Sequence, residues 1–370
     1  MRSSRIVSRV LLAMSLALTA ALAGAAPAGA AAPAAQSAPA IRVTDAAGRV
    51  VGLARPPQRI VVVGRGPYMV VDLLYLFPGV SRRLAGVERG QMAGDFAPLL
   101  DPAFGEKAAL VNPGPEQIAA LHPDLVLTGS RGLDQPGAAL AAIHVPVVSL
   151  GLETPEQFYH DVANVGVLLG WPDRAREITA YYQARVARVR AGWRGVREAD
   201  RPRVLVVEYA ERGGAAAVRV PAKPWMQTLE VETAGGRPVW LDSAAPTSGW
   251  TVVNLEQIAR WDPDLIILSV WPALDPAKVV ATLRSDPQWR GLRAVRTGGL
   301  RAFPSDIYGW DTPTPRWLLG LTWMAKTLHP ERFRDLDVAA EVRDFYRTLY
   351  GLDERAITRD ILSKVRLDVR

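Results

Sequence analysis

Short, almost wholly apolar runs recur along the chain and predict buried strands. They read RIVVVG at 59–64, DLVLTG at 124–129 and VPVVSLG at 145–151, then RVLVVEY at 203–209, DLIILSV at 264–270 and GLRAFP at 299–304. Strands covered on both faces show continuous apolar runs of this kind rather than strict alternation. Because helical patterns or loops separate the runs, the sequence predicts an α/β fold with mostly parallel sheets. An alternating stretch at 41–58 predicts a small hairpin ahead of the first run.

The stretch from Thr154 to about Arg197 carries helical patterns and no strand pattern. One helix is predicted before the break at Gly170-Trp171-Pro172, and a longer one from Asp173 to Gly192. In the longer helix, apolar residues recur at helical spacing on one stripe, at Ile178, Tyr182, Val186, Val189 and Trp193. We therefore expect one long helix to separate two α/β halves.

The two halves repeat one phrase. The segment NPGPEQIAALHPDLVLTGS at 112–130 matches VVNLEQIARWDPDLIILSV at 252–270, with seven identities in one register 140 positions apart. In each copy the pattern predicts a helix that begins near Pro115 or Leu255, ends before a His-Pro or Asp-Pro pair, and leads into a buried strand. The repeat indicates two similar α/β lobes.

Each copy places a glutamate, Glu116 or Glu256, in the first turn of its helix. A carboxylate is favoured there by the helix dipole, by about 0.3–1 kcal/mol, and that effect alone could account for either residue. The dipole does not explain why the same residue stands in both halves. Two matched carboxylates on an outer face would suit docking to a two-fold symmetric partner with basic sockets.

The first thirty residues predict a signal peptide. Arginines at 2, 5 and 9 precede the apolar run VLLAMSLALTAALAG at 10–24, and Ala28-Gly29-Ala30 offers a small-x-small cleavage site. The alternative is a membrane anchor, but the run is shorter than the roughly 20 apolar residues that a spanning helix needs. A periplasmic location is therefore expected.

Composition and charge exclude several classes of protein. With 49% hydrophobic and 22% charged residues the chain is globular rather than disordered. It has no cysteine, so a disulfide framework, a thiolate metal site and lipid attachment at an N-terminal cysteine are excluded. The formal charge of +7 falls to about +4 without the leader, and the basic residues are dispersed, so no nucleic-acid footprint is predicted.

These segments together resemble periplasmic substrate-binding proteins of ABC importers, in the class whose two lobes are joined by a single long helix. The resemblance covers roughly 41–351 and includes the two copies of the repeat, the helix at 173–192 and the segment WDTPTPRWLLGLTWMAKTLHPERF at 310–333. That class serves iron-siderophore complexes, haem, cobalamin and similar chelates. The resemblance implies a ligand cleft between the lobes, docking of Glu116 and Glu256 to arginines of a permease dimer, and a monomer without enzymatic activity or a resident cofactor.

The expected organisation follows from the resemblance and the patterns together. It comprises a signal peptide at 1–30, an Ala/Pro-rich linker at 31–40, an N-terminal lobe at 41–154, a helical connection at 155–199, a C-terminal lobe at 200–351 and an unassigned tail at 352–370. Because a single stiff helix joins the lobes, only modest closure on binding is expected.

The loops that follow the predicted strands hold arginines and large aromatic side chains. Guanidinium groups bind carboxylate, catecholate or phosphate oxygens, and flat rings stack on a macrocycle or an aryl chelator. The candidate ligand-binding residues are Arg65, Tyr68, Arg89, Arg131, Tyr209, Trp225, Trp271, Tyr308 and Trp310. For any one of them, a solvated loop position or a place in the core is an equally good interpretation.

Other chemistry has weaker support. GRGPYM at 64–69 has a methionine where a dinucleotide fingerprint needs its third glycine. The four histidines are isolated, so no metal site is predicted. The remaining alternatives are an oxyanion receptor for molybdate or tungstate on the same scaffold, and a secreted α/β enzyme such as a chelatase.

Overall fold

The computed structural model describes residues 40–89, 96–129, 140, 145–212, 215–270 and 274–367. The predicted leader, residues 1–30, lies outside this part of the chain. None of the helices described is long and apolar enough to cross a membrane.

The first lobe contains a five-stranded, wholly parallel sheet in the order β5-β4-β3-β6-β7. Its strands are β3 (Ile60–Val63), β4 (Leu84–Glu88), β5 (Ala108–Leu110), β6 (Leu125–Gly129) and β7 (Val147–Leu150). Helices α1 (Pro67–Leu74), α2 (Val80–Arg83), α3 (Phe96–Leu100) and α4 (Pro115–Ala119) connect them. The predicted hairpin is present as β1 (Ile41–Thr44) paired antiparallel with β2 (Val50–Leu53).

The second lobe has a mixed sheet in the order β11-β9-β8-β12-β13. Its strands are β8 (Arg203–Arg212), β9 (Ala215–Pro221), β10 (Arg237–Pro238), β11 (Trp250–Val252), β12 (Leu265–Val270) and β13 (Leu300–Ala302). The β8, β10, β12 and β13 pairings are parallel, whereas β9 pairs antiparallel with β8 and with β11. Its early helices are α7 (Met226–Thr233), α8 (Leu255–Trp261), α9 (Pro276–Ser285), α10 (Pro287–Arg290) and α11 (Arg293–Arg296).

The helical connection consists of α5 (Pro155–Leu169) and the long α6 (Pro172–Gly192). Along α6, Ile178, Tyr182 and Val189 are buried, as the stripe in the sequence predicts. The Tyr182 hydroxyl donates a hydrogen bond to the Pro315 carbonyl over 2.5 Å, which ties the helix to the second lobe. The expected fold class, two α/β lobes joined by one long helix, is confirmed.

The C-terminal helices pack against both lobes. They are α12 (Trp317–Leu328), α13 (Val338–Tyr350) and α14 (Glu354–Ala356), followed by a π-helical turn at Ile357–Leu362. Ile357 and Ile361 in that turn are fully buried. Two residues of the tail that could not be assigned from the sequence, Ile357 and Ile361, are thus part of the core.

The repeated aspartates, Asp124 and Asp264, bind backbone N–H groups where a central strand of each sheet begins. Asp124 accepts hydrogen bonds from the backbone N–H groups of Gln58 and Arg59, at 2.7 and 2.8 Å. Asp264 accepts the equivalent bond from the Arg203 N–H at 2.8 Å in the second lobe. Each aspartate therefore satisfies backbone donors immediately before or at the start of a central strand, which gives a structural reason for its presence in both copies.

A buried arginine joins the lobes beneath the cleft. Arg316 is fully buried and forms ion pairs with Asp72 on α1 of the first lobe and with Asp306 of the second. Its guanidinium lies 4.1 Å from the Phe96 ring centroid and 5.1 Å from that of Tyr308. Burial raises the pKa of Asp72 to about 6, although Arg316 acts in the opposite direction. We call this set of contacts the Arg316 clamp.

Candidate functional site

A cavity of about 530 Å³ lies between the two lobes, at the carboxyl ends of the parallel strands. From the first lobe it is lined by Arg65, Gly66, Tyr68, Met69, Val70, Gly129, Gly151, Leu152 and Glu153. From the second lobe it is lined by Glu208, Arg219, Trp225, Gln227, Trp250, Ser269, Val270, Gly309, Asp311, Thr312 and Pro313. Pockets of about 300–1,000 Å³ suit small molecules and cofactors.

Tight turns bring the first wall close to the cavity. Gly64 and Gly66 have φ angles of 94° and 66°, in the region that favours glycine, and α1 starts directly after them at Pro67. A Cβ atom on Gly129 would lie 3.2 Å from the Arg65 carbonyl oxygen, so the ends of β3 and β6 approach closely there. This backbone presents Arg65 and Tyr68 at the cavity.

The loop after β7 is held by one buried carboxylate. Asp161 on α5 accepts hydrogen bonds from the N–H groups of Gly151 and Leu152, at 2.7 and 2.9 Å. Leu152 has a φ of 58°, a strained backbone conformation for a leucine. Burial raises the pKa of Asp161 to about 7, although the two backbone bonds favour the charged form. Asp161 thus shapes a wall of the cavity without lining it.

The second wall is polar and built on neighbouring strands. Glu208 on β8 is in register with Arg219 on β9, with which it forms an ion pair, and with Ser269 on β12. Asp311 accepts a hydrogen bond from the Ser269 hydroxyl, and the Gln227 amide donates to the Asp311 carbonyl over 2.7 Å. Burial raises the pKa of Glu208, and the ion pair with Arg219 lowers it. Burial also raises the pKa of Asp311, and the hydrogen bond from Ser269 lowers it. The wall therefore offers acceptors together with one guanidinium.

Aromatic rings complete the cavity. Trp225 and Trp250 meet edge to face, with ring centroids 5.4 Å apart, on the second lobe. Tyr68 on the first lobe packs against Tyr308, at a centroid distance of 5.0 Å. The cavity can therefore hold a ligand with flat or apolar surfaces as well as charged groups.

Three of the candidate ligand-binding residues, Arg65, Tyr68 and Trp225, line this cavity. Trp310 does not, because it is fully buried and its indole N–H donates to Asp306 over 3.1 Å. Tyr308 is also buried and lies behind Tyr68.

Two more candidates lie away from the cavity wall. Arg89 is exposed, with its guanidinium 5.8 Å from the Phe104 ring centroid. Tyr209 is buried in the core, whereas its neighbour Glu208 lines the cavity, since successive strand residues point to opposite faces. Arg131 and Trp271 lie outside the described residues.

Sequence reasoning missed most of the second wall. Glu208 and Ser269 were detectable, because each is a polar residue at the end of an otherwise apolar strand. Arg219 and Trp250 gave no such signal, since they lie on the antiparallel strands β9 and β11, which were not predicted. Gln227 and Asp311 reach the cavity only through tertiary packing.

The repeated glutamates lie outside the cavity. Glu116 and Glu256 are exposed in the first turns of α4 and α8. Neither carboxylate forms an ion pair or hydrogen bond within the described part of the chain. Between 40 and 367, outside the gaps given above, no group of three or more His, Cys, Asp or Glu residues could hold a metal ion.

Two α/β lobes joined by a long helix, with a polar and aromatic cavity between them, define a bilobal small-molecule binding protein. Residues 108–307 match the family described as periplasmic binding protein, and the chain belongs to that family. The resemblance inferred from the repeated phrase is thereby confirmed.

Individual relatives differ in their named ligands. The chain is 27% identical over 271 residues to the molybdate-binding protein MolA of Haemophilus influenzae, covering 65% of this chain and 72% of that protein. It is 27% identical over 158 residues to a vitamin B12-binding protein of Pectobacterium carotovorum, covering 42% and 54%.

Solved structures share the fold. The structure of a periplasmic solute binding protein from Veillonella parvula aligns with a TM-score of 0.67 at 23% identity, over 87% of this chain and 97% of that one. The molybdate-bound structure of MolA aligns with a TM-score of 0.69 at 21% identity, over 84% and 98%.

Proposed function

We propose that this protein is the solute-binding component of an ABC import system, which captures a metal chelate in the periplasm and delivers it to a membrane permease. The observation that supports a metal chelate as the ligand is the size and lining of the cavity. Its volume of about 530 Å³ lies within the range of about 300–1,000 Å³ that suits small molecules and cofactors. Arg65 provides a cation from the first lobe, the second lobe provides the ion pair of Arg219 with Glu208, and three aromatic side chains provide flat contact surfaces.

Molybdate is the second candidate, because a relative named as molybdate-binding matches most of the chain. The second wall argues against a bare oxyanion. Glu208 and Asp311 both line the cavity, the guanidinium of this wall is already paired with Glu208, and an ionised carboxylate repels a dianion. A larger chelate can place its anionic groups near the arginines and its hydrogen-bond donors near the carboxylates.

Ligand identification separates the two candidates. The protein is purified from its native host without a denaturing step, and the bound compound is analysed by mass spectrometry and absorbance. A co-purified iron, haem or corrin chromophore is the expected result. Titrations with molybdate, a ferric catecholate and cyanocobalamin, followed by tryptophan fluorescence, provide the comparison. Saturable binding of molybdate alone would contradict the chelate proposal, and conversion of a bound chelate into a product would indicate an enzyme.

Delivery is proposed to depend on Glu116 and Glu256. Both carboxylates are exposed and without protein partners in the described chain, so they are available to basic residues of a permease dimer. We expect the double substitution E116K/E256K to abolish uptake in the native host while leaving the affinity for ligand unchanged. Loss of ligand affinity would instead assign these residues a role in the cleft. N-terminal sequencing of the secreted protein tests the proposed leader cleavage near Ala30.

A further inference from the structure

We propose that the ligand is a neutral or cationic metal chelate that presents N–H donors, from ammonium or amide groups, to the second lobe, and that Asp311 is the residue that selects it. The first lobe contacts the oxygen atoms of the chelate through Arg65. The inference rests on the proposed function and narrows its ligand class, because it sets aside chelates whose outer groups are carboxylates or catecholates.

The second wall of the cavity contains polar side chains that are almost completely buried. Glu208, Gln227, Ser269 and Asp311 all line the cavity, and none of them is more than 9% exposed. Burial of a polar side chain costs free energy unless hydrogen bonds compensate for it. The hydrogen bonds that the protein does not supply to this wall are therefore left to the ligand.

Most donor groups of this wall are used within the protein. The Ser269 hydroxyl donates to the Asp311 carboxylate, and the Gln227 Nε2 atom donates to the Asp311 carbonyl oxygen over 2.7 Å. In the described part of the chain, the Gln227 Oε1 atom and the Arg219 Nε atom have no hydrogen-bond partner. The Arg219 guanidinium is already paired with Glu208. The wall therefore offers a ligand mainly acceptors.

Asp311 is the carboxyl group of this wall that lacks a cationic partner. No lysine, arginine or histidine among the described residues pairs with it, whereas Glu208 is paired with Arg219. A Cβ atom on Gly309 would lie 2.5 Å from the Asp311 Oδ1 atom, so glycine at this position leaves room for that oxygen. A carboxyl group keeps an acceptor oxygen whether or not it is ionised. Asp311 therefore favours a ligand group that donates a hydrogen bond or carries positive charge.

The first wall differs in its balance of charge. Arg65 and Glu153 give it one formal charge of each sign, whereas the second wall has two carboxyl groups and one guanidinium. The Arg65 side chain is exposed and forms no ion pair or hydrogen bond with the rest of the described chain. Its guanidinium is thus available to the oxygen atoms of a ligand. An anionic chelate gains a contact at Arg65 but is repelled at Asp311.

Classes of chelate differ in how well they match these two walls. A chelate with an ammonium or amide group on its outer surface supplies donors to Asp311 and Gln227, while its metal-binding oxygens remain for Arg65. Iron tris-catecholates, haem with its propionates, and molybdate place anionic oxygens against both walls. Selectivity of this kind arises from a repulsive contact as well as from an attractive one.

Ferrioxamine B provides a test, because one iron complex can be prepared with three different outer groups. Its free amine is cationic, its N-acetyl form is neutral and its N-succinyl form is anionic, while the metal centre stays the same. Quenching of tryptophan fluorescence measures the affinity for these three complexes, for cyanocobalamin and its derivative with amides hydrolysed to carboxylates, and for haemin. We expect the amine and amide forms to bind about tenfold or more tightly than the carboxylate forms.

The substitution D311N tests the selecting residue. It removes the negative charge and adds N–H donors, so we expect it to reduce the preference for cationic over succinylated ferrioxamine B about tenfold. E208Q should reduce the preference as well, because it frees Arg219 for anionic groups. E232Q is the matched control, because Glu232 lies on α7 but does not line the cavity. Affinity for the N-acetyl form and the melting temperature show whether each variant is folded.

The outcomes separate this inference from the proposed function. If haemin or the succinylated complex binds as tightly as the cationic complex, or if D311N keeps the full preference, the inference is wrong while the proposed function stands. If D311N does not fold, E208Q decides in the same way. If E232Q loses the preference as D311N does, the effect is not local and the inference is also wrong. If no chelate binds, the proposed function is wrong and the inference fails with it.

Discussion

Asp161 determines the shape of one cavity wall through two hydrogen bonds. It binds the N–H groups of Gly151 and Leu152, and the strained φ of Leu152 is maintained by these contacts. A buried carboxylate in this role makes the wall sensitive to pH. The pKa of Asp161, raised to about 7 by burial, lies above that of an aspartate in an unfolded chain.

The direction of the pH effect follows from that raised pKa. The folded state binds the Asp161 proton more tightly than the unfolded state does. The contribution of Asp161 to the free energy of unfolding is therefore fully present below pH 4 and is lost as the pH rises through 7. D161N keeps a hydrogen-bond acceptor but does not ionise. We therefore expect the free energy of unfolding to fall by roughly 2–4 kcal/mol between pH 4 and pH 7 in the wild type, and we expect this fall to be absent in D161N. Urea unfolding from pH 4.5 to 8 measures it.

The matched control for this prediction is H160Q. The His160 Nδ1 atom lies 3.8 Å from an Asp161 carboxylate oxygen, so H160Q changes the neighbouring side chain while Asp161 keeps its carboxylate. A free energy of unfolding that differs between wild type and D161N by the same amount at every pH would contradict the prediction.

Sequence patterns could predict only some of the residues that line the cavity. Arg65, Tyr68 and Trp225 were accessible to reasoning because the loops after parallel strands face the cleft. Trp310 is fully buried, and composition alone does not distinguish a tryptophan that lines a cavity from one that fills the core.

The short helical turns of the C-terminal tail contribute to the stability of the fold. Ile357 and Ile361 are fully buried, and the Trp323 indole N–H donates to the Leu367 carbonyl over 3.0 Å. We expect a chain that ends at Gly351 to lose about 3 kcal/mol or more of unfolding free energy, because each buried isoleucine contributes roughly 1.5–3 kcal/mol. Thermal and urea unfolding measure the loss.

The milder substitution I361V calibrates that result. It removes one methyl group and should cost about 0.5–1.5 kcal/mol. A truncated protein as stable as the full chain would show that the tail does not contribute to the core.

Elements were more predictable than side chains. The six apolar runs all form strands, and α4 and α8 begin at Pro115 and Leu255 as the repeat predicts. The strands β9 and β11 were missed, because their pairing with β8 depends on contacts across the sheet rather than on periodicity. The tail was missed because its helical turns are short and its apolar residues few.

For the whole molecule, the Arg316 clamp limits how far the lobes can separate. Pulling the lobes apart would break the buried ion pair between Arg316 and Asp72, so this contact opposes opening of the cleft. A backbone hydrogen bond from the Met226 N–H to the Glu153 carbonyl, at 2.8 Å, joins the lobes at the cavity edge as well. These contacts add to the stiffness of the long helix.

We therefore expect only a small change in lobe separation on ligand binding. The chain has no cysteine, so Q117C/A259C places two spin labels specifically, one on each lobe. The distance distribution in the wild-type background should be narrow and shift by only a few ångströms with ligand. The background R316M/D72N/D306N, in which no member of the ion-pair set can ionise, should broaden it. A large hinge swing in the wild type, or an unchanged distribution in this triple-substituted background, would contradict the role of the clamp.

The placement of Glu116 and Glu256 on separate lobes has one more consequence. Under the proposed docking, a transporter that contacts both side chains at once depends on the spacing between them. Because the lobes move little on ligand binding, that spacing is nearly the same in the empty and the loaded protein. Both forms would then dock in the same way, and the transporter would have to recognise the cargo itself.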